Sequence, residues 1–322
     1  MNSQLPIKRA KARFPSQTMN SFIENSFIVG ILILLSLLLV TSFGWWAGKS
    51  WLHPYPLYAK FDGQRALQDV GYQLSLGART PGSAAHAQVI EWIRDELSVA
   101  GWQAQVQEAS LLGRPIQNIV ASRSDDPPAV ILAVHYDSRL VADQDPNPAK
   151  RSEPVPGAND GASGVAILVE IARTLPSEGV PVWLVFLDAE DNGDLPGWDW
   201  LLGSRAFVST LAQKPRAAVI LDMIGDSDLN IFYEKNSDAQ ISAQIWAQAA
   251  KLGYANEFIP VPKYRILDDH IPFIEAGIPA VDIIDFDYPY WHTTMDSTDK
   301  VSASSLQAVG ETLLAWLATR NK

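Results

Sequence analysis

The 322-residue chain contains no cysteine. This excludes a disulfide framework and removes thiolate from the possible metal ligands, leaving imidazole and carboxylate. Positive charge is also scarce: 25 lysines and arginines face 36 aspartates and glutamates, for a formal net charge of −11. Four of the basic residues, Lys8, Arg9, Lys11 and Arg13, fall in the first 21 positions, which hold no acidic residue. The remainder sets 21 basic side chains against 36 acidic ones. Such a surface repels a phosphate backbone, so no nucleic-acid partner is expected. Histidine is sparse too, with five in the chain: His53, His86, His135, His270 and His292. Internal repeats and low-complexity tracts are absent, and the length suits a short anchor plus one large domain.

One long apolar run is present. Residues 27–46 carry no charge and centre on ILILLSLLLV. Twenty helical residues span roughly 30 Å, the hydrocarbon thickness of a bilayer. Trp45 and Trp46 close the run, where aromatic rings favour the interface, and the basic residues before it orient the amino terminus inward. A cleaved signal peptide would have a shorter apolar core followed by small residues; here Phe43-Gly44-Trp45-Trp46 stands instead. The expected organisation is a cytoplasmic basic tail (1–26), a transmembrane anchor (27–46), a Pro- and aromatic-rich linker (47–60) and an extracytoplasmic catalytic domain (61–322).

Beyond residue 61, apolar runs alternate with helical patterns. Strands are expected at 129–134, 180–187, 217–221 and 280–284, where nearly continuous apolar and β-branched residues fit burial on both faces. Helices are expected at 83–100, 161–175, 238–252 and 303–319, the first capped by Ser83 and stopped by Gly101. This order predicts an α/β fold: a three-layer sandwich with a mostly parallel central sheet and helices on both faces.

Ionisable residues gather where these strands end. AVILAV runs into His135-Tyr136-Asp137, VWLVFL into Asp188-Ala189-Glu190-Asp191, and AAVIL into Asp222, while AVDII precedes the loop that reaches His292. Asp160 sits in GANDGASG, where a helix begins. One strand-end aspartate is commonly a cap or a turn residue, but four strands delivering acid or imidazole to the ligand-binding edge of an α/β sheet form a constellation. Imidazole and carboxylate fit zinc, whereas magnesium and calcium call for oxygen alone. His53 falls in the linker, and His86 reads as a surface or packing residue of the first helix.

The ordered set HYDS, NDGASG, the acidic pair Glu190-Asp191, a later Leu221-Asp222 and WHT followed by Asp296 resembles the zinc aminopeptidase family and, within it, the animal-type glutaminyl cyclases. The resemblance spans about residues 61–320 and implies a zinc-exopeptidase fold. It implies that Asp160, Asp191 and His292 hold one zinc, and that His135 and Asp222 join Asp160 around a second in a two-metal aminopeptidase. It makes Glu190 the general base. Asp268-Asp269-His270-Ile271-Pro272-Phe273 and Trp291 before His292 are similar to the cyclases; NDGASGVA and HTTMDS are closer to the aminopeptidases. Both branches have two glutamates where Glu190-Asp191 stands, so Asp191 is one methylene short.

In the cyclase reading the substrate is a peptide with amino-terminal glutamine. Glu190, Asp222 and Asp268 are catalytic, and Trp291 walls the substrate pocket; Trp198 and Trp200 are more readily packing residues, with pocket lining as the alternative for either. In the aminopeptidase reading two zincs and Glu190 direct water at the first peptide bond. A metal-free binding module on the same fold is a third possibility. Asp269 and His270 are expected to brace the site loop, and Asp137 to orient His135.

Overall fold

The computed structural model describes residues 60–320. The expected anchor at 27–46, the basic tail and the linker up to residue 59 lie outside the described residues. Among the described residues, no helix is long and apolar enough to cross a membrane.

The described chain opens with two helices, α1 (Gly63–Ser75) and α2 (Ala84–Val99). Ser83 caps α2 as its pattern implies, its side chain accepting from the His86 amide. Six strands form the main sheet: β1 (Gln103–Leu111), β2 (Arg114–Ser122), β3 (Val130–His135), β4 (Val182–Leu187), β5 (Ala217–Asp222) and β8 (Ala280–Ile284). Their spatial order is β1-β2-β4-β3-β5-β8. A separate two-stranded sheet pairs β6 (Ile231–Tyr233) with β7 (Phe258–Pro262).

The sheet is mixed, which corrects the expectation of a mostly parallel one. β4, β3, β5 and β8 run parallel, but β1 pairs antiparallel with β2, and β2 antiparallel with β4. The β1–β2 hairpin is absent from the expected strands because β1 (QAQVQEASL) buries no residue fully and alternates exposed with half-buried positions. The four foreseen strands are fully or almost fully buried, which makes them apolar and legible.

Side chains of β3 point alternately to two cores. Val130, Leu132 and Val134 pack into the larger one, with α1, α2, α3 (Ala162–Thr174), α5 (Ala239–Leu252) and α7 (Ala303–Thr319). Ile131 and Ala133 pack into the smaller one, with Phe207 of α4 (Leu202–Val208) and Phe273 of α6 (His270–Glu275). Helices therefore cover both faces, as expected. α3 is buried at every position except Arg173, whose guanidinium reaches Asp69, Glu96 and Glu170 and ties α1, α2 and α3 together.

From β3 the chain crosses to β4 on one side; from β5 it crosses to β8 on the other. The carboxyl ends of β3 and β5 therefore flank a topological switch point, where an open α/β sheet leaves a crevice for a ligand. One wall of the crevice is the segment after β7. Glu234 anchors that segment, its Oε1 accepting from the Ile266 amide and its Oε2 from the Asn236 and Ser237 amides and the Ser237 hydroxyl.

Burial works against the charge on Glu234, but His270 and these donors hold its carboxyl down to about 2 from 4.5. A depressed folded pKa contributes stability that is complete above the unfolded value and is lost as pH falls from about 4.5 through about 2. Glu234→Gln should thus lower stability at pH 7 by roughly 3 kcal/mol and flatten the acid limb of the stability curve. Urea denaturation of both proteins between pH 7 and pH 2 checks this; parallel acid limbs would contradict it.

Candidate active site and metal centre

Four elements deliver side chains to the crevice. His135 ends β3 and Asp222 ends β5; His135 Nε2 lies 3.1 Å from Asp222 Oδ1 and 3.2 Å from Asp160 Oδ1. Asp160 comes from the loop before α3. Its other oxygen faces a second group: His292 Nε2 is 2.7 Å from Asp191 Oδ1 and 3.8 Å from Asp160 Oδ2. Asp160 is thus shared by two sets of donors, His135–Asp160–Asp222 and Asp160–Asp191–His292, each with its ligand atoms within 4.8 Å of one another. The sequence-derived ligand residues all meet here, Asp191 included despite its shorter side chain.

Backbone geometry brings them in. Ala189, Met223 and His292 adopt φ of +52°, +50° and +54°, in the left-handed region that costs a residue with a Cβ about 1–3 kcal/mol. Each lies in the loop that leaves a strand for the site, and His292 is itself a ligand candidate. Gly161, at φ +93°, admits no side chain: a Cβ there would come 2.8 Å from Asp137 O and 3.2 Å from His135 Cε1.

Buried partners orient the ligands. Asp137 takes Glu190 N and Asn192 Nδ2 as donors and lies 3.6 Å from His135 Nδ1, close to the ring it is expected to orient but without a hydrogen bond to it. Asp143 lies 3.5 Å from His292 Nδ1. Asp296 accepts from the Asn159 and Asp160 amides and from the Tyr288 hydroxyl, fixing the loop that carries Asp160. Arg139 donates to the carbonyls of Asp191 and Gly193. Arg79, fully buried, donates to the carbonyls of Tyr136, Pro156 and Gly157, clamping the His135 turn to the Asp160 loop. Burial brings its pKa down to about 10, so it stays charged among the carboxylates.

Asp143, Arg139 and Arg79 have no assigned role in the sequence reading. Asp143 in particular lies in a loop without a regular pattern, and only folding sets it beside a residue 149 positions away. His86, read as a surface or packing residue, is buried, with Nε2 2.7 Å from Asp188 Oδ1. His270 and Asp269 lie in the wall segment, beside the site but outside both donor sets.

The electrostatics call for a cation. Burial raises Glu190 well above the carboxylate range, with the charge of Asp191 adding to it. Burial lifts Asp191 to about 6 and Asp222 to about 7, with the charge on Asp160 adding in each case. Although burial disfavours charged imidazole, the surrounding aspartates push His135 far up and His292 up to about 9. Asp160 Oδ2, Asp191 Oδ2 and His135 Nδ1 are buried without a hydrogen-bond partner. Carboxylates and imidazoles that face one another with such unmade bonds fit a zinc ion, whose binding expels the imidazole protons.

A cavity of about 290 Å³ opens over this cluster. Its floor is Asp160, Glu190, Asp191 and Asp222, and Asp268, Arg265, Ile266, Phe286, Trp200 and Trp291 build its walls. Trp291 stacks on the His292 ring at 3.7 Å, and Trp200 lies parallel to that ring at 6.1 Å. Of the two tryptophans read as packing or pocket-lining residues, Trp200 lines the pocket, while Trp198 packs against the cluster of Ile116, Ala189, Leu202 and Ala206 under the Arg114 guanidinium.

Known proteins are similar to this chain in sequence and fold. The model of peptidase family M28 matches residues 118–317. A glutaminyl-peptide cyclotransferase-like protein of Bos taurus is 27% identical over 287 residues, covering 76% of this chain and 72% of its own. The crystal structure of a Zn-dependent exopeptidase from Parabacteroides distasonis superposes with a TM-score of 0.77 at 32% identity, over 82% of this chain and 99% of that one. Tannerella forsythia glutaminyl cyclase gives 0.75 at 33% identity, over 80% and 98%.

Replacing Arg79 by Met should remove its hydrogen bonds to the carbonyls of Tyr136, Pro156 and Gly157 and loosen the loop that carries Asp160. Zinc affinity is expected to fall about 10- to 100-fold, as read by competition with a chromophoric chelator. Unchanged affinity would show that the clamp does not set the ligand positions.

Proposed function

The chain belongs to peptidase family M28, a family of enzymes, and from that premise we propose that it is a zinc-dependent enzyme acting on the amino-terminal end of peptides. The reaction we assign is cyclisation of amino-terminal glutamine to pyroglutamate with release of ammonia. The observation that carries this reading is the placement of Asp268 and Trp291 in the same cavity as Glu190 and Asp222. Asp160, Asp191 and His292 would hold the zinc, which supplies Lewis-acid polarisation of the reacting carbonyl when bound.

The substrate's α-amine forms a bond to its own side-chain amide carbon, and the bond from that carbon to the amide nitrogen breaks. Glu190 takes the proton from the attacking amine and passes it to the leaving nitrogen, so ammonia departs neutral. Its raised pKa suits a group that must both accept and return a proton. Asp222, whose carboxyl burial pushes up, hydrogen-bonds to the reacting amide. Asp268 accepts one from the amine. Trp291, Phe286 and Ile266 screen the amide from water, which would otherwise compete as nucleophile.

A second reading, an aminopeptidase that hydrolyses the first peptide bond, is favoured by one feature. Asp160 is shared with a second donor set, His135 and Asp222, that could take another zinc. Glu190 then accepts a proton from water, and Asp268 becomes a supporting group.

We further assign residues 27–46 as a single-pass anchor, with the amino terminus cytoplasmic and the catalytic unit on the far side. Reporter fusions at residue 20 and at the carboxyl terminus should report opposite sides of the membrane; the same side for both would overturn this topology.

Glu190→Gln should retain bound zinc and reduce turnover by about 10²- to 10⁴-fold. Assays of one preparation decide between the chemistries. Ammonia release with a blocked amino terminus supports cyclisation, and a released free amino acid supports hydrolysis. Activity retained in Glu190→Gln would remove Glu190 from its role in both.

A further inference from the structure

Three buried histidines have carboxylates on both sides of the ring. For His135, Asp137 approaches Nδ1 while Asp160 and Asp222 approach Nε2. For His292, Asp143 approaches Nδ1 while Asp191 and Asp160 approach Nε2. His270 repeats the pattern outside that centre, with the ring reversed. Glu234 Oε2 lies 3.2 Å from its Nε2, and Asp282 Oδ2 lies 3.7 Å from its Nδ1. Imidazoles that bind metal have this environment: one nitrogen on the ion, the other N–H on a carboxylate that fixes the tautomer.

The second sign is a set of missing partners. Neither ring nitrogen of His270, neither carboxylate oxygen of Asp282, nor Oδ2 of Asp268 makes a hydrogen bond. His270 and Asp282 have no exposed surface, and Asp268 is 4% exposed. Donor atoms of the three residues lie within 4.8 Å of one another. The Asp160 centre shows the same combination of buried carboxylates, imidazole and unmade bonds. Buried polar atoms are almost always paired, and a group of five in one place calls for an occupant.

We propose that Asp268, His270 and Asp282 form a further divalent-cation site, separate from the Asp160 centre. The ion is taken by His270 Nδ1 and by one carboxylate oxygen from each aspartate, with Glu234 as the outer partner of the imidazole. The mixed nitrogen and oxygen donors select zinc over magnesium or calcium. Bonds of about 2.0–2.2 Å in a tetrahedral shell set donor atoms roughly 3.3–3.6 Å apart. The 3.7 Å between His270 Nδ1 and Asp282 Oδ2 therefore needs only a small adjustment.

The ion would join three elements: the segment carrying Asp268, the first residue of α6 and the middle of β8. Because Asp268 also lines the cavity, the site would fix that wall. The proposal does not depend on which reaction the cavity performs.

The full chain is stripped with a chelator, dialysed and reloaded with zinc, and bound zinc is counted by mass spectrometry. His270→Gln and Asp282→Asn should each bind one equivalent fewer than the unaltered chain while the Asp160 centre stays filled. Unchanged zinc content in both folded variants overturns the proposal. If the variants do not fold, crystals of the unaltered full chain grown with saturating zinc decide. An anomalous-scattering peak between Asp268, His270 and Asp282 is expected. Density at the Asp160 centre alone overturns the site and leaves the cluster as a proton-sharing network. Turnover, measured in parallel, bears on the proposed reaction and not on this site.

Discussion

Buried Asp160, Asp191 and Glu190 share one patch with half-buried Asp222, and like charges cannot be confined there unless positive charge is placed among them. That constraint explains why the nearby imidazoles are driven toward the protonated form and why Arg79 stays charged with no exposed surface. A divalent ion satisfies the same demand with greater charge density, which is the physical basis for assigning this patch to a metal. Asp160 matters most, because both of its oxygens face imidazole nitrogen and both donor sets include it.

The scaffold's task is to hold these groups together against their repulsion. Parallel strands end at a common edge, and the reversal of strand order between β3 and β5 leaves a crevice there. Loops leaving the strands are then fixed by buried hydrogen bonds rather than by regular structure. Asp137 gathers the amides beyond β4, Asp296 the amides beside Asp160, and Arg79 the carbonyls on either side of both. Left-handed backbone at Ala189, Met223 and His292 is tolerated because this network over-determines it. The strain coincides with the turns that carry Glu190, Asp191 and His292 to the site.

Much of this is legible in local pattern. Strands buried on both faces are written as unbroken apolar runs, so β3, β4, β5 and β8 stand out, and so do the ionisable residues at their ends. The edge hairpin is not legible: β1 has three glutamines and a glutamate among nine residues, and its partner strand begins Arg114-Pro115. That edge is what makes the sheet mixed. Asp143, Glu234 and Asp282 are equally silent, since an acidic residue in a loop or a strand looks the same whether it caps a turn or faces an imidazole. Trp198 and Trp200 are two residues apart with the same chemistry, yet one stacks under Arg114 and the other lines the cavity.

Local patterning and motif order alone establish the α/β class, the main helices and buried strands, the ligand candidates, the candidate base and the family resemblance. Each of these depends on residues close in the chain or on the order of short motifs. Folding decides the mixed sheet, the sharing of Asp160 between two donor sets, the clamp at Arg79 and the company of His270. The reason is that these depend on pairings across tens to more than a hundred residues, from Glu234–His270 to Asp143–His292. No local period encodes such distances. They are set by where the sheet and its covering helices bring the loops to rest.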